Sequence, residues 1–454
     1  MGPDLVPTSL QWVERMDALK GALKKGLVTK FLFHRGDDQM DIWIAFLFRL
    51  PNIPSYQSNK DLEAIRLNQT RLALSIQFLN SFIGGILVIA LPLLMIERKI
   101  DIVDIGLIFA CLPIVFQFTR MLFAIVSDFL GRKLFFVLNG VLNIFSGLVY
   151  YLAYTPLQFL IGKITEGTKS ATLWAVNRAF LLEESGRERN TLVHLRTSFY
   201  VSTAIGSLLA GVLIVWLSYT NTLLLCVLVG IAAVPTSMLL TEKKKRNAFS
   251  TKRAFHYLDL RKKDATFTVF LILFFSMGLS FGFISSYIFP LFLESNSFKA
   301  EAIGVFIGAQ TLLAALSLYA FSKRIELGKL ILLSGFLYSL LLFMLGFSSS
   351  QPAAFLVVVF GLADGLASGG REGILARIAG EESYGIDIGL LMTGLHIGQT
   401  ISLALSGLLI ARWGFAVPFL LSASTFPISY ISAYFLLKQQ KSRKTETTRK
   451  RAIT

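Results

Sequence analysis

The sequence predicts an all-α membrane protein in which twelve transmembrane helices form two pseudo-symmetric six-helix bundles. Three observations lead to this fold class. Hydrophobic residues make up 54% of the 454 residues and charged residues only 16%, as in chains that cross a bilayer several times. Apolar runs of about 20 residues, the length that spans hydrocarbon, recur along most of the chain. The second half of the chain also repeats features of the first half at a fixed spacing.

Helices are the expected spanning element, because the apolar runs lack period-two alternation and every backbone N–H in hydrocarbon needs a partner within its own segment. The predicted spans are 72–96, 102–126, 134–154, 157–182, 192–218, 221–241, 266–293, 301–322, 328–349, 352–376, 385–411 and 415–437. They divide the chain into an N-terminal segment (1–71), a first bundle (72–241), a basic linker (242–265), a second bundle (266–437) and a basic tail (438–454).

The N-terminal segment is not apolar enough to span the membrane. Leu10, Val13 and Met16 begin a series of apolar residues at helical spacing among Lys and Arg, which predicts an amphipathic helix on the inner leaflet. The alternative is a poorly ordered segment upstream of a natural start at Met16 or Met40. The segment does not resemble a secretory signal peptide under either interpretation.

Lys and Arg are distributed unevenly between the two sides of the membrane. The chain has 44 of them against 28 Asp and Glu, a net charge of +16. Ten lie in the N-terminal segment, nine in the linker and seven in the tail, whereas the connections on the other side hold only Arg98, Lys99, Lys299 and Arg412. The positive-inside rule therefore predicts a multi-pass cell-membrane protein with both termini and the linker cytoplasmic. The basic excess indicates anionic lipid neighbours, and nucleic acid is not an expected partner.

An internal repeat relates the two predicted bundles. Six spans in each copy is an even number, so both copies enter the membrane from the same side. Halves of this kind are related by an axis along the membrane normal, and a binding site is expected between them near mid-bilayer. The matching residues, each pair 198 positions apart, are Pro92 and Pro290, Gly106 and Gly304, Gly167 and Gly365, and Glu183 and Glu381.

The loop between the second and third spans carries a charged motif, SDFLGRK at residues 127–133. With the residues before it, the loop resembles the signature G-x-x-x-D-x-x-G-R-[RK] of the major facilitator superfamily (MFS). Ala124 replaces the first glycine, while Asp128, Gly131, Arg132 and Lys133 match. The resemblance also includes the twelve spans and the duplicated halves, about residues 70 to 440.

The resemblance implies the MFS fold and transport by alternating access. It also implies that Asp128, Gly131, Arg132 and Lys133 form a gating loop that latches the cytoplasmic side of the halves when the transporter opens outward. Physically, Gly131 permits a tight turn, and Asp128 can pair with Arg132 or with a helix N-terminus. The alternative is that Arg132 and Lys133 only enforce orientation.

The fourth predicted span contains charged residues. A charge in mid-membrane costs about 3 kcal/mol unless it has a partner or a watery cavity. Lys163, Glu166 and Lys169 share one helical face, so Glu166 can pair with a lysine on either side. The superfamily has the pattern R-x-x-x-G here. Lys163 and Gly167 stand at its two positions, which keeps the charge but loses the planar guanidinium.

The tenth span contains the repeat counterpart of this charged face. Asp364 takes the position of Glu166, so the two acids are expected to face each other across the pseudo-twofold axis, and Arg371 lies two turns beyond Asp364 on nearly the same face. One interpretation is a polar cavity in which a carboxylate exchanges a proton, and the other is a set of ion pairs that hold helices together. The predicted cavity residues are Lys163, Glu166, Lys169, Asp364, Arg371, Glu372, Gln77 and Asn80.

Other ionisable residues in the spans have simpler interpretations. Arg120, Arg178 and Arg196 lie near predicted cytoplasmic ends, where snorkelling or pairing with Asp128 or Glu183 explains them. A single histidine in the eleventh span, His396, is expected to make an interhelical hydrogen bond.

These features predict a secondary active transporter for a small molecule, with protons as a second expected partner, working as a monomer without a cofactor or metal. Residues 206–211, GSLLAG, resemble the G-P-x-x-G-G stretch of drug and proton antiporters, with Ser207 in place of the proline, which favours efflux. Close packing of helices is the alternative explanation of these small residues. The alternative is an uptake transporter or uniporter for a sugar, organic anion or other metabolite. An enzyme is not expected, because the four histidines are scattered, and no phosphate-binding loop for an ATP-driven pump occurs.

Overall fold

The computed structural model describes residues 59–184, 189–241, 263–321, 324–378 and 384–453. Within those ranges the chain forms twelve helices and no strand. Leu62–Thr454 forms one compact unit. The predictions made for residues 1–58 and for most of the linker lie outside the described residues.

The helices follow the order of the predicted spans. Their bounds are α1 Asn59–Glu97, α2 Ile102–Leu130, α3 Lys133–Leu152, α4 Pro156–Glu184, α5 Arg189–Met238, α6 Ala265–Gly282, α7 Ile288–Ser295, α8 Ala300–Phe321, α9 Leu327–Gly346, α10 Ser350–Ile378, α11 Tyr384–Trp413 and α12 Ala416–Ile453.

Ten of these helices are long and apolar enough to cross a membrane. The fifth and sixth predicted spans both lie in α5, which has 50 residues and is interrupted at Ser218, where φ is 73°. Helix α4 is not among the ten, because its charged residues lower its apolar character. Large apolar side chains such as Phe118 and Phe336 point outward, each 64% exposed, as contact with lipid requires. The predicted fold class is confirmed.

The seventh predicted span is not one helix, so the prediction of a continuous segment at 266–293 is wrong. Helix α6 ends at Gly282, α7 begins at Ile288, and Ser286 between them has a φ of 61°. Gly282 packs so closely on α11 that a Cβ there would lie 1.9 Å from the hydroxyl of Ser402. A glycine at a helix end and a residue in the left-handed region both favour a break.

Two helices extend beyond the predicted spans. Helix α1 begins at Asn59 rather than at residue 72, and α12 continues to Ile453 rather than ending at residue 437. Neither extension contains Pro or Gly, so nothing in the sequence stops the helix where the apolar run stops. Hydropathy finds the part of a helix that lies in lipid, and the polar turns beyond it are missed.

Close backbone packing joins the two halves at two places, α2 against α11 and α5 against α8. A Cβ built on Gly106 would lie 3.0 Å from the Cα of Gly407, and one on Gly304 would lie 2.9 Å from the Cα of Gly211. Small residues allow helices in a membrane to approach in this way. Gly106 and Gly304 are counterparts in the internal repeat, so corresponding parts of both halves form the two interfaces.

The helix ends define two faces of the protein. The basic face carries the α2–α3 turn at Gly131, the end of α4 and the starts of α5 and α11. The opposite face carries the turn between α1 and α2 and the four glycines of the two interfaces, which lie near the other ends of their helices. Contacts between α5 and α10 support this arrangement, because Arg196 near the start of α5 touches Glu372 near the end of α10.

Candidate functional site

A row of polar side chains on α10 faces the first half of the chain. Positions 364, 368 and 371 recur at intervals of four and three residues, so they share one helical face. Opposite them lie polar residues of α4 and of the first part of α5. The polar seam is defined as Asp364, Ser368, Arg371 and Glu372 of α10 with Arg178, Arg196 and Tyr200 of α4 and α5.

An ion pair joins the two halves at the basic-face end of the seam. The Glu372 carboxylate accepts a hydrogen bond from the Arg196 guanidinium, and the Arg178 guanidinium lies 3.7 Å from the same oxygen. Both arginines also lie near the ring of Trp174, at 5.5 Å for Arg196 and 6.0 Å for Arg178. Two guanidinium groups of one half thus hold a carboxylate of the other half.

A second polar contact crosses the seam one turn away. The hydroxyl groups of Tyr200 and Ser368 are 3.0 Å apart, and Nη2 of Arg371 donates to the Ser368 hydroxyl at 3.3 Å. The Arg371 guanidinium also lies 4.8 Å from the ring centroid of Phe281, a distance at which a cation is attracted by an aromatic face. Arg371 is therefore held by neutral groups rather than by a carboxylate in contact with it.

Asp364 lies one further turn along α10 and is partly buried. Among the described residues, its carboxylate has no hydrogen bond and no ion pair within 4.0 Å. Arg371 interacts with it electrostatically at longer range, as do the hydroxyl groups of Tyr200 and Tyr338. A carboxylate in this position can take up a proton or bind a cationic or hydroxylated group, because no resident partner saturates its oxygens.

The predicted residues of the fourth span form a separate cluster inside the first half. One oxygen of Glu166 accepts hydrogen bonds from Nζ of Lys163 at 2.8 Å and from the Tyr150 hydroxyl at 2.5 Å. Nζ of Lys163 also lies 4.0 Å from the ring centroid of Phe109. The predicted pairing of Glu166 with Lys163 is confirmed. Lys169, although only 2% exposed, has no ion pair with any residue that the structure describes, so Glu166 has one lysine partner rather than two.

Gln77 and Asn80 belong to a buried amide network that connects α1 to its neighbours. Nε2 of Gln77 donates to the Ser81 hydroxyl at 2.7 Å, and Nδ2 of Asn177 donates to Gln77 at 2.8 Å. Nδ2 of Asn139 donates to Asn80 at 3.2 Å. Both predicted residues thus have partners within the first half, and their role in a substrate cavity stays a prediction.

The gating loop has the tight turn that its glycine predicts. Gly131 has a φ of 91°, and its N–H donates to the carbonyl of Ser127 at 3.0 Å. Arg132 is the N-cap residue of α3 and Lys133 begins that helix. The side chain of Asp128 lies outside the described part of the chain, so the latch stays a prediction.

The sequence profile of the Major Facilitator Superfamily matches residues 73–370 and 302–453. The chain belongs to this superfamily. Two crystal structures of the nucleoside transporter NupG have a similar fold, each at 15% sequence identity. The match to a point mutant of NupG has a TM-score of 0.67 and covers 81% of this chain and 100% of that one. The match to the second structure has a TM-score of 0.64 and covers 82% of this chain and 99% of that one. At this identity the likeness shows the fold alone. No curated protein sequence matches significantly.

In this MFS chain, two of the three arginines for which the sequence predicts snorkelling or pairing with Asp128 or Glu183 pair with a different acid. Arg178 and Arg196 pair with Glu372 across the halves, and Arg120 lies within electrostatic range of both. His396 also differs from the prediction, because its Nδ1 bonds Gln399 of its own helix at 3.3 Å. One feature of the sequence indicated that these arginines have partners: arginines outnumber acidic residues in the parts of the spans near the basic face. Snorkelling alone does not explain this excess.

Other features contribute less to the site. An apolar cavity of about 400 Å³ between α8 and α10 is lined by Phe298, Phe306, Gln351, Ala354, Phe355 and Val358, none of them a predicted site residue. Within the described ranges, no group of three His, Cys, Asp or Glu side chains could hold a metal ion.

Proposed function

We propose that this MFS protein is a secondary transporter that moves a small molecule by alternating access of the polar seam, with Asp364 as the carboxylate that exchanges a proton. The observation that carries the proposal is the division of the seam's two acids. Glu372 pairs with Arg178 and Arg196 of the other half, whereas Asp364, two turns away on the same helix, has no contacting partner among the described residues.

This division supports two roles. An ion pair across the halves can form in one conformation and break in the other, so Glu372 suits a gate. An unpaired carboxylate in a membrane interior is costly when ionised, so Asp364 suits a group whose charge changes during the cycle. Glu166 suits neither role as well, because Lys163 and Tyr150 already satisfy it.

Reconstituted protein tests the proposal. A panel of metabolites and drugs, with nucleosides included because NupG shares the fold, is screened by counterflow in proteoliposomes. For a solute that exchanges, accumulation driven by an imposed pH gradient is compared between the parent chain and Asp364→Asn. The variant is expected to retain counterflow and to lose gradient-driven accumulation, because a neutral amide cannot carry the proton.

Two further results bear on this test. Glu166→Gln serves as the comparison and is expected to lower thermal stability while leaving the response to the pH gradient in place. Accumulation by Asp364→Asn equal to that of the parent would contradict the role of Asp364. Absence of counterflow for every solute in the panel would contradict transport itself.

The direction of transport is a separate proposal. The resemblance at residues 206–211 favours efflux, with uptake as the alternative. Gly206 and Gly211 are in close helix packing, since a Cβ on Gly206 would lie 2.2 Å from the carbonyl of Phe82 and one on Gly211 2.6 Å from that of Ala300. Packing thus gives a sufficient reason for these glycines. Right-side-out and inverted vesicles loaded with the same solute gradient distinguish efflux from uptake.

The proposed location is the cell membrane, with the basic face in the cytoplasm. The support is the count of Lys and Arg in the two tails and the linker against the four on the other side. Reporter fusions at the C-terminus and in the turn at residues 347–349 test it, because a fluorescent and a periplasmic-type enzymatic reporter give opposite signals on opposite sides. A cytoplasmic signal from the turn would contradict the orientation.

A further inference from the structure

The part of the seam nearest the basic face has more cations than anions. Arg178 and Arg196 share Glu372, and Arg120 of α2 lies within electrostatic range of both arginines. Among the side chains that the structure describes, Arg371 completes a set of four arginines that face only two carboxylates, Glu372 and Asp364. Among the described side chains, positive charge therefore predominates at this end of the seam, a balance that favours an anionic ligand.

Arg120 has no counter-ion among the described residues. Within the described residues it has no carboxylate within 4.0 Å, and its one ring contact is with Phe116, whose centroid lies 5.3 Å from the guanidinium. It precedes the end of α2 at Leu130 by about ten residues, or roughly 15 Å along the helix axis. At that depth an isolated charge is expensive, so a ligand that neutralises it gains a strong electrostatic interaction.

Two hydrogen-bond acceptors, one on α2 and one on α11, have no partner among the described residues. Nε2 of Gln117 donates to the carbonyl of Gly389 at 3.1 Å and to the Thr393 hydroxyl at 2.7 Å, and its Oε1 is buried without a partner in the described structure. Gln117 is one helical turn from Arg120. Buried polar atoms are normally satisfied, so this oxygen is open to a donor that no described residue supplies.

His396 provides the second acceptor from α11. Its Nδ1 faces Oε1 of Gln399, which can only accept, so Nδ1 carries the hydrogen and Nε2 of the neutral ring is an acceptor. Nε2 is buried, and no described group bonds to it. The ring packs edge-on against Phe116 at 5.3 Å, and Arg120 interacts with it electrostatically. The histidine therefore belongs to the same surroundings as Arg120.

We propose that Gln117, Arg120 and His396 bind an organic anion that also carries hydroxyl groups. Arg120 pairs with the carboxylate or phosphate of this ligand, because its planar fork matches both groups. Gln117 Oε1 and His396 Nε2 accept hydrogen bonds from the hydroxyls. The inference rests on the proposed transport function and names the class of solute, a sugar acid or sugar phosphate.

Four probes separate charge from hydroxyl groups: gluconate, glucose 6-phosphate, glucose and hexanoate. The purified full chain in neutral detergent is titrated with each at constant ionic strength, and the thermal-denaturation midpoint gives the apparent Kd. Gluconate or glucose 6-phosphate is expected to bind at least tenfold more tightly than glucose and hexanoate. Comparison of the two anions tells whether the site takes a carboxylate or a phosphate.

Matched variants connect the binding to the named residues. Arg120→Gln should weaken binding of the hydroxylated anion at least tenfold and leave glucose unchanged. Arg120→Lys, which keeps the charge without the fork, should fall between this variant and the parent. His396→Leu should reduce the preference for gluconate over hexanoate. Arg324→Gln, which removes an exposed arginine at the basic face, is the control and should change no affinity.

The proposal is overturned if neither hydroxylated anion binds saturably, if glucose or hexanoate binds as tightly as they do, or if Arg120→Gln keeps the parent affinity. These outcomes are distinct from a failure of transport. Counterflow of a neutral solute without anion binding would remove the anion site and leave the transporter proposal in place. Anion binding without counterflow of any solute would do the reverse.

Discussion

Replacing Glu372 by glutamine should open the basic face. Two unit charges about 4 Å apart attract by about 4 kcal/mol at an effective dielectric constant of 20. The side chains of Glu372 and Arg196 are 36% and 27% exposed, so water offsets part of this attraction. Breaking a buried ion pair costs about 3–5 kcal/mol, whereas an exposed ion pair contributes below about 1 kcal/mol. Because the Glu372–Arg196 pair is partly exposed, we expect its loss to cost about 2 kcal/mol. Because 1.4 kcal/mol corresponds to a factor of ten, the ratio of open to closed forms should rise roughly thirtyfold.

Cysteine alkylation measures this ratio. In a chain with Cys111 and Cys226 replaced by serine, a cysteine at Ser368 lies behind the Glu372 pair, so a membrane-impermeant maleimide applied at the basic face reacts mainly with the open form. Glu372→Gln should increase the rate about thirtyfold by the population argument above.

Two further variants check that result. Glu326→Gln is the control, because Glu326 is an exposed acid at the start of α9 on the same face, and its alkylation rate should equal that of the parent. Exchanging the charges by Arg196→Glu with Glu372→Arg should restore slow alkylation in part. A change of less than about threefold for Glu372→Gln would refute the reasoning, since it corresponds to less than 1 kcal/mol.

Two other variants probe the packing and the buried cluster. Gly211→Ala should lower the thermal-denaturation midpoint of the detergent-purified chain, because its Cβ would meet a carbonyl of α8 at 2.6 Å and overpacking costs about 1–3 kcal/mol. The control is Gly84→Ala, whose Cβ would have nothing within 4 Å and which should leave the midpoint unchanged. Equal midpoints for the two variants would contradict the role of the Gly211 contact. Tyr150→Phe removes one of two hydrogen bonds to Glu166 and should cost about 1–3 kcal/mol; an unchanged midpoint would indicate that the tyrosine hydroxyl contributes nothing.

The helices were predictable because the bilayer fixes their length and polarity. The break between α6 and α7 was not, since Phe283 and Ile284 continue the apolar run up to two serines, and the break accompanies close packing of Gly282 against α11. The polar ends of α1 and α12 were also missed, because hydropathy reports only the part of a helix inside lipid.

Within the site, contacts inside one helix were predictable and contacts between halves were not. The spacing of Lys163 and Glu166 on α4 was sufficient to predict their pair. The partner of Glu372 is 176 positions away in the chain, and its identity depends on how the halves dock. Snorkelling and pairing both place an arginine near the end of a span, so the sequence could not distinguish them for Arg178 and Arg196.

The close glycine contacts at the opposite face, Gly106 with Gly407 and Gly211 with Gly304, give the two halves a pivot point. Gly211 precedes the end of the first part of α5, and Arg196 lies about 15 residues away along the same helix, a lever arm of roughly 22 Å at 1.5 Å per residue. A tilt of about 10° about the glycine contact would move the Arg196 end by roughly 4 Å, the scale of rigid-body switching motions. That displacement separates the Glu372 pair while the backbones at Gly211 and Gly304 stay in contact.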